Sequence, residues 1–248
     1  MALDPSVGAA HGALARVHQF NWRGSEAREA YDRALVLSPN DPEVLTDYAG
    51  FCAVTGRTEK AIKLGKRSLR LDPNSAFRHQ WVGFAYAQIG DLDAAIEAQR
   101  RAAELSPTFG LAHLILGHME NAQGNHAEAL KQTQIGEQLL RDSTNPAFLG
   151  ELASSYAQLG HREDAERVFH RLEEMAETRR IPNAAWILGY LALGDNEQAL
   201  RWLNTAADNP EPYVGYFGLM VIKANVYSWP VLDEPRFREV RDRLGYRD

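Results

Sequence analysis

Eight histidines are the residues in this chain best suited to bind a metal ion or to transfer protons. Two histidines four residues apart on one helix face can hold a metal together, and no pair in this sequence has that spacing. His113 and His118 are five residues apart, so they point in different directions on a helix. His11, His79 and His113 recur at separations of 68 and 34 residues, which predicts a packing role. We expect no metal and no cofactor.

The single cysteine and the carboxylates carry no pattern of nucleophilic or acid–base catalysis. Cys52 has no base and orienting partner at a suggestive spacing, and a nucleophile needs both. One cysteine cannot form an internal disulfide, which favours a reducing compartment such as the cytoplasm. Carboxylates such as Glu97 and Glu104 have the spacing of solvated helix faces, and no glycine-rich loop follows a strand. The sequence therefore predicts a protein that is not an enzyme.

Charge and hydropathy exclude two further classes of partner. The chain has 248 residues with 27 basic and 33 acidic side chains, a net charge of −6 that argues against nucleic-acid binding. The start of the chain lacks the basic and apolar stretches of a secretory signal. Its longest apolar run, residues 213–222, is about half of what a bilayer requires. We expect neither nucleic acid nor membrane as a direct partner.

The elements that would position these side chains are given by an internal repeat. Prolines recur every 34 residues, each with a leucine two residues before it, at Pro5, Pro39, Pro73 and Pro107. Glycines keep nearly the same step, at Gly56, Gly90, Gly124, Gly160 and Gly194. Two marker sets with a common period indicate one structural unit copied several times.

Each repeat has the pattern of two helices joined by a tight turn. A helical stretch ends at the glycine, which adopts the left-handed cap conformation without strain, and the proline stops the second stretch. Small residues are expected where the two helices cross closely, at Ala27, Ala61, Ala95, Ala129, Ala165 and Ala199. Gly65 and Gly136 fall inside second helices, and we interpret them as points of close approach. The predicted fold is all-α.

With these residues the sequence resembles the tetratricopeptide repeat family, whose unit carries a W-x2-L-G-x2-Y…A-x3-F…P pattern. The third repeat matches with Gly83, Tyr86, Ala95 and Pro107. The tryptophan of the pattern is absent, and His11, Leu45, His79, His113 and Leu149 stand in its place. The resemblance covers roughly residues 1–210 and implies a right-handed superhelical solenoid of six repeats: 8–41, 42–75, 76–109, 110–145, 146–179 and 180–210.

Both ends of the chain carry predictions about the whole protein. Residues 1–5 match the tail of a preceding repeat, and residues 211–248 are interpreted as C-terminal capping helices. In the last helix Pro235 stands at the first turn, and Phe237, Val240 and Leu244 share one face. The tail around Pro235 resembles that of a bacterial subgroup whose repeats follow a nucleotide cyclase, a winged-helix domain or a kinase. The resemblance implies an upstream effector domain and a regulatory role.

The resemblance also implies where a partner would bind. In this family the first helices line a concave groove, and the matching places are held by Arg16, Gln19, Phe77, Gln80, Phe84, Leu111, Leu114, His118 and Asn121. The middle of this groove is apolar, which suits an amphipathic helix or an extended apolar segment. Two alternatives would also explain the apolar character of these residues: they could pack between repeats, or a second copy of the chain could cover them. His118 among apolar neighbours predicts binding that depends on pH near 6.5.

The predicted function is a non-catalytic protein–protein interaction module. It would bind a peptide or a partner domain in the groove, as a regulatory part of a larger bacterial protein. The alternative is an oligomerisation or scaffold element that uses Tyr213, Tyr216, Phe217, Met220 and Val221. An enzyme, the third class, would require a polar cluster with perturbed pKa values in one pocket.

Overall fold

Glycines and prolines that end helices divide the chain into helix pairs. The computed structural model describes residues 7–21, 23–143, 145–209, 229, 231 and 234–243. Residues 1–5, the segment 211–227 with its five predicted self-association residues, and Leu244 lie outside these ranges. Within the described ranges there are helices and connections but no strand, which confirms the all-α prediction.

The described residues form six successive helix pairs and one further helix after them. In each pair the odd-numbered helix is called the first helix and the even-numbered one the second. Their bounds are α1 Gly8–Phe20, α2 Gly24–Leu37, α3 Pro42–Val54, α4 Thr58–Leu71, α5 Ala76–Gln88, α6 Leu92–Leu105, α7 Gly110–Ala122, α8 His126–Leu140, α9 Ala147–Gln158, α10 Arg162–Ala176, α11 Asn183–Leu193, α12 Asn196–Asp208 and α13 Pro235–Arg243. None of these helices combines the length and the apolar character needed to cross a bilayer.

The turn inside each of the second to sixth pairs depends on a left-handed glycine, as predicted. The φ angles are +76° at Gly56, +78° at Gly90, +89° at Gly124, +78° at Gly160 and +78° at Gly194. At each turn the N–H after the glycine donates back to the carbonyl five residues earlier; Asp91 N to Tyr86 O, for example, is 3.1 Å. This bond is the mark of a Schellman cap, which satisfies a carbonyl at the helix end.

Small residues let the two helices of a pair cross closely. The six predicted alanines are completely buried: Ala27, Ala61, Ala95, Ala129, Ala165 and Ala199. A Cβ added to Gly83 on α5 would lie 3.0 Å from the carbonyl oxygen of Ala95 on α6. The two interior glycines are close-approach points too. A Cβ on Gly65 would lie 2.5 Å from Val82, and one on Gly136 would lie 2.6 Å from Leu114.

The described helices form two compact units. Unit 1 is Met1–Leu105 and carries α1 to α6, and unit 2 is Ser106–Asp248 and carries α7 to α13. An aromatic stack lies in the core of unit 1, where the rings of Tyr31 and Tyr48 are 4.8 Å apart. The core of unit 2 contains a cluster that includes Tyr156, Phe169 and Leu172.

Helix α13 packs on α12 at the end of unit 2. Phe237 and Val240 are buried, and Arg236 forms an ion pair with Glu197 of α12. Pro235 is the first residue of this helix, where its missing N–H leaves no hydrogen bond unmade.

Each unit contains a set of polar contacts that joins one helix pair to the next. In unit 1 the Tyr48 hydroxyl donates to Asp32 Oδ1 at 2.6 Å, and Lys60 Nζ lies 3.1 Å from the same oxygen. Unit 2 has the same combination of carboxylate, phenol and cation in Glu137, Tyr156 and Arg167. In both units the carboxylate lies on the second helix of one pair, α2 or α8. The phenol and the cation lie on the two helices of the next pair, α3 and α4 or α9 and α10.

Candidate binding surface

The structure buries most of the side chains predicted for the groove. Gln19, Gln80, Phe84, Leu111, Leu114 and His118 are buried, whereas Arg16 and Phe77 are exposed and Asn121 is half-buried. Gln19 accepts a hydrogen bond from the Tyr31 hydroxyl at 2.7 Å, and Leu114 belongs to the core cluster of unit 2. For the six buried residues the structure supports the packing alternative, because a partner cannot reach them in this conformation.

His118 is a correction to the sequence-based expectation. Its Nε2 lies 2.8 Å from Ser155 Oγ and 3.7 Å from Glu151 Oε2, in a site closed to solvent. Burial lowers the pKa of His118 to about 3, so the imidazole is neutral near neutral pH. The expectation of pH-dependent binding through His118 near pH 6.5 is therefore wrong.

Ser155, His118 and Glu151 are the residue types of a catalytic serine–histidine–acid triad, but they do not have its geometry. In a triad the acid holds one ring nitrogen and the serine faces the other. Here Ser155 and Glu151 both approach Nε2 of His118. In the part of the chain that the structure describes, no group of three His, Cys, Asp or Glu side chains could hold a metal ion.

The exposed aromatic surface of unit 1 is built by helix α5. Ser75 caps this helix by accepting a hydrogen bond from the N–H of Arg78. Phe77 follows in the first turn, is 49 % exposed, and is the one exposed aromatic residue of the described ranges. Its ring meets the ring of Trp81 edge-on at a centroid distance of 5.9 Å. The backbone of Gly50 on α3 supports Trp81, because a Cβ on Gly50 would lie 3.0 Å from the indole ring.

A charged pair lies beside this aromatic surface. Arg16 Nε on α1 is 3.5 Å from Asp47 Oδ2 on α3, with Arg16 exposed and Asp47 mostly covered. Burial raises the pKa of Asp47 to about 6; the charge of Arg16 opposes the rise, those of Glu43 and Asp41 add to it, and that of Arg78 opposes it. Glu43, one turn before Asp47 on α3, is exposed.

One register relates the two contacts. Counted from the repeat starts Gly8, Pro42 and Ala76, the contact of Arg16 with Asp47 joins the ninth place of one repeat to the sixth of the next. Gly50 and Trp81 repeat it, again ninth place to sixth. Because short connections of three and four residues join α3 to α4 and α4 to α5, α3 and α5 run in the same direction.

This register places an acidic residue next to the exposed ring. Asp47 comes one turn before Gly50 on α3, and Phe77 comes one turn before Trp81 on α5. Because Gly50 and Trp81 are in contact, Asp47 and Phe77 lie at the same level on neighbouring helices whose axes are about 8–10 Å apart, and Glu43 is one turn further along α3. We call Arg16, Glu43, Asp47, Phe77 and Trp81 the acidic–aromatic face. Sequence reasoning named Arg16 and Phe77 but missed Asp47 and Trp81, because it did not consider the sixth place.

Comparison with known proteins is consistent with this architecture. A tetratricopeptide repeat family model matches residues 5–76 and 151–212, and a second one matches residues 79–109. The chain belongs to the tetratricopeptide repeat family. Proteins of this family generally act by binding other proteins, on surfaces formed by stacked repeats.

Relatives with sequence similarity are much longer than this chain. The small glutamine-rich tetratricopeptide repeat-containing protein 2 of Mycosarcoma maydis is 33 % identical over 99 residues, which are 40 % of this chain and 28 % of that protein. Cellulose synthase operon protein C of Pseudomonas fluorescens is 25 % identical in an alignment 280 positions long, which covers 91 % of this chain and 22 % of that protein. The chain thus spans less than a third of either relative.

Solved structures show the same fold. A thermophilic tetratricopeptide repeat protein of Thermus thermophilus has a TM-score of 0.65 at 20 % identity, over 75 % of this chain and 99 % of that one. A tetratricopeptide repeat protein of Parabacteroides merdae has a TM-score of 0.63 at 18 % identity, over 88 % and 84 %. At these identities the similarity concerns the fold alone.

Proposed function

We propose that this chain is a non-catalytic interaction module that binds a peptide or partner segment on the first helices of unit 1. Membership of the tetratricopeptide repeat family supports this proposal, and the exposed ring of Phe77 is the observation that carries it. A solvent-facing aromatic ring fixed by a second ring is the kind of anchor on which protein interfaces depend. The site includes Arg16 and Phe77 of the predicted groove.

We also propose that the module is a cytoplasmic, regulatory part of a larger bacterial protein. The resemblance of the C-terminal tail and the greater length of both relatives support this proposal. The mass of the natural polypeptide in its own cell tests it. A mass well above 27.7 kDa is expected, and a mass near that value would contradict it.

A substitution at Phe77 tests the binding site. Short random peptides displayed on phage are selected against the chain, and the best peptide is synthesised and its Kd is measured. We expect Phe77→Arg to weaken binding by at least about tenfold, because a charge replaces the apolar anchor. Val36→Arg is the matched control, since Val36 is 70 % exposed but lies on the second helix α2. Equal binding to wild type and Phe77→Arg, with both folded by circular dichroism, would contradict the proposal.

A further inference from the structure

We infer that the acidic–aromatic face selects protein segments in which a lysine or arginine lies two or three residues from an aromatic or large aliphatic residue. This inference rests on the proposed function, since it names the ligand class of the same site. Four observations support it: the fixed aromatic ring, the excess of carboxylates over cations, the pairing of the other nearby charges, and the distance between the ring and the carboxylates.

The apolar half of the face is held in place by contacts within unit 1. Phe77 contacts Trp81, and Trp81 in turn meets Phe84 edge-on at 6.1 Å and lies against the Gly50 backbone. A ring held on one side and open on the other offers apolar area at small entropic cost. It is suited to an aliphatic or aromatic side chain.

The acidic half has carboxylates in excess of cations. Glu43 is exposed, and no ion pair to it occurs among the described residues. Asp47 is approached by Arg16 through Nε alone at 3.5 Å, which is looser than a bidentate pair. A ligand cation would reach one unpaired carboxylate and one loosely paired carboxylate.

The other nearby charges are already engaged within unit 1. Arg78 donates to Asp72 at 2.5 Å and to Ser68 Oγ at 3.0 Å. Asp41 caps α3 by accepting hydrogen bonds from the N–H groups of Glu43 and Val44. Among the described residues, Arg16 is the cation that pairs directly with Asp47, and Arg78, which also acts on Asp47, is already paired with Asp72. The face therefore favours a cationic ligand over an anionic one.

The distance between the two halves sets the spacing in the ligand. Phe77 and Asp47 lie at the same level on neighbouring helices whose axes are about 8–10 Å apart. An extended segment rises about 3.3 Å per residue, so a basic side chain two or three residues from the apolar anchor spans that distance.

Two experiments test the inference, and both use the full chain. In the phage selection against wild type, we expect lysine or arginine to be enriched two or three residues from the apolar anchor. The best peptide is then compared with its norleucine analogue, which keeps the length of lysine without the charge. We expect wild type to bind the lysine peptide about fivefold more tightly, with the preference reduced at high salt.

The double variant Glu43→Gln, Asp47→Asn should bind both peptides equally, since it removes the charges and keeps the shapes. Glu59→Gln, on the exposed face of α4, is the matched control and should keep the preference. Glu43→Gln alone alters an exposed side chain, so it gives a folded variant with a partial effect. A preference that survives in the double variant, or selected peptides without basic residues, would overturn the inference.

The outcomes separate the two proposals. Peptides that depend on Phe77 but not on Glu43 or Asp47 would leave the binding site in place and refute the basic–apolar ligand class. Peptides insensitive to Phe77→Arg, or no enriched peptides at all, would refute both.

Discussion

At the residue scale, histidine at the fourth place of a repeat holds the connection that precedes it. His79 Nε2 lies 2.9 Å from the carbonyl oxygen of Pro73, and His113 Nε2 lies 3.2 Å from that of Pro107. These residues replace the tryptophan of the family pattern. Their spacing predicted a packing role, but the hydrogen bond depends on the direction of a proline carbonyl, which the sequence does not encode locally.

His118 should make stability depend on pH. Because the pKa of His118 is about 3 in the folded chain and near 6.5 when unfolded, only the unfolded state binds a proton between these values. We therefore expect the free energy of unfolding to fall as pH falls through this window. His118→Gln keeps a hydrogen-bonding group near Ser155 and Glu151 but cannot be protonated, so it should flatten that dependence.

Urea unfolding of both proteins at about pH 4.5, 5.5 and 7 gives the comparison, and the slope against pH is the quantity to compare. A slope unchanged by His118→Gln would show that other groups cause the pH dependence.

The burial of a single residue could be predicted only where it did not depend on the neighbouring helices. Cys52 lacks the sequence partners of a nucleophile, and in the structure it is buried, with burial raising its pKa to about 12. The exposure of Phe77 and the burial of Phe84 could not be separated, because helix register gives a direction and not the neighbours. Trp81 reaches the surface beside Phe77 only because Gly50 leaves room for its ring.

At the element scale, the local signals that begin and end helices were strong enough to predict most of them. Repeat starts placed at Gly8, Pro42, Ala76 and Gly110 are also the first residues of α1, α3, α5 and α7. The sixth repeat was placed from Arg180, whereas α11 begins at Asn183. Pro182 precedes that helix in an extended conformation, with φ −63° and ψ 143°.

Two helix-interior glycines should respond differently to alanine. A Cβ on Gly150 of α9 would lie 2.8 Å from the Cα and carbonyl oxygen of Ala185 on α11, and backbone cannot yield without separating the helices. On Gly65 the nearest atom is a methyl group of Val82, a side chain that can shift. Alanine gains about 1 kcal/mol of helix propensity at either site, and overpacking costs about 1–3 kcal/mol.

We therefore expect Gly150→Ala to lower the free energy of unfolding and Gly65→Ala to leave it within about 1 kcal/mol of wild type. Urea denaturation measures both. If Gly65→Ala were the more destabilising, side-chain rather than backbone contact would be the stricter limit on helix approach.

At the scale of the whole molecule, charge is distributed unevenly along the chain. Residues 1–105 contain 13 basic and 13 acidic side chains, whereas residues 106–248 contain 14 and 20. The net charge of −6 thus belongs entirely to the second part. This asymmetry is visible in the sequence, but the division into two compact units is not, because the repeat continues through it.

Moderate salt should stabilise the protein, because it screens the repulsion among like charges in residues 106–248. We expect the thermal midpoint to rise as sodium chloride is increased from about 0.02 to 0.3 M, because screening reduces repulsion among uncompensated carboxylates. Circular dichroism at 222 nm follows the transition. A midpoint that falls with salt would mean that attractive ion pairs such as Glu137 with Arg167 outweigh the repulsion.

The left-handed glycines have a consequence for chirality. A φ of +78° at Gly90 is strained for an L-amino acid and natural for its mirror image. A chain made by chemical ligation with D-alanine at this turn would keep the helix cap while its unfolded state lost freedom. D-alanine would stabilise the fold by about 0.4–1 kcal/mol, whereas L-alanine at the same position would destabilise it. Among the described residues, five turn glycines thus have backbone conformations suited to D-amino acids, which a ribosome does not supply.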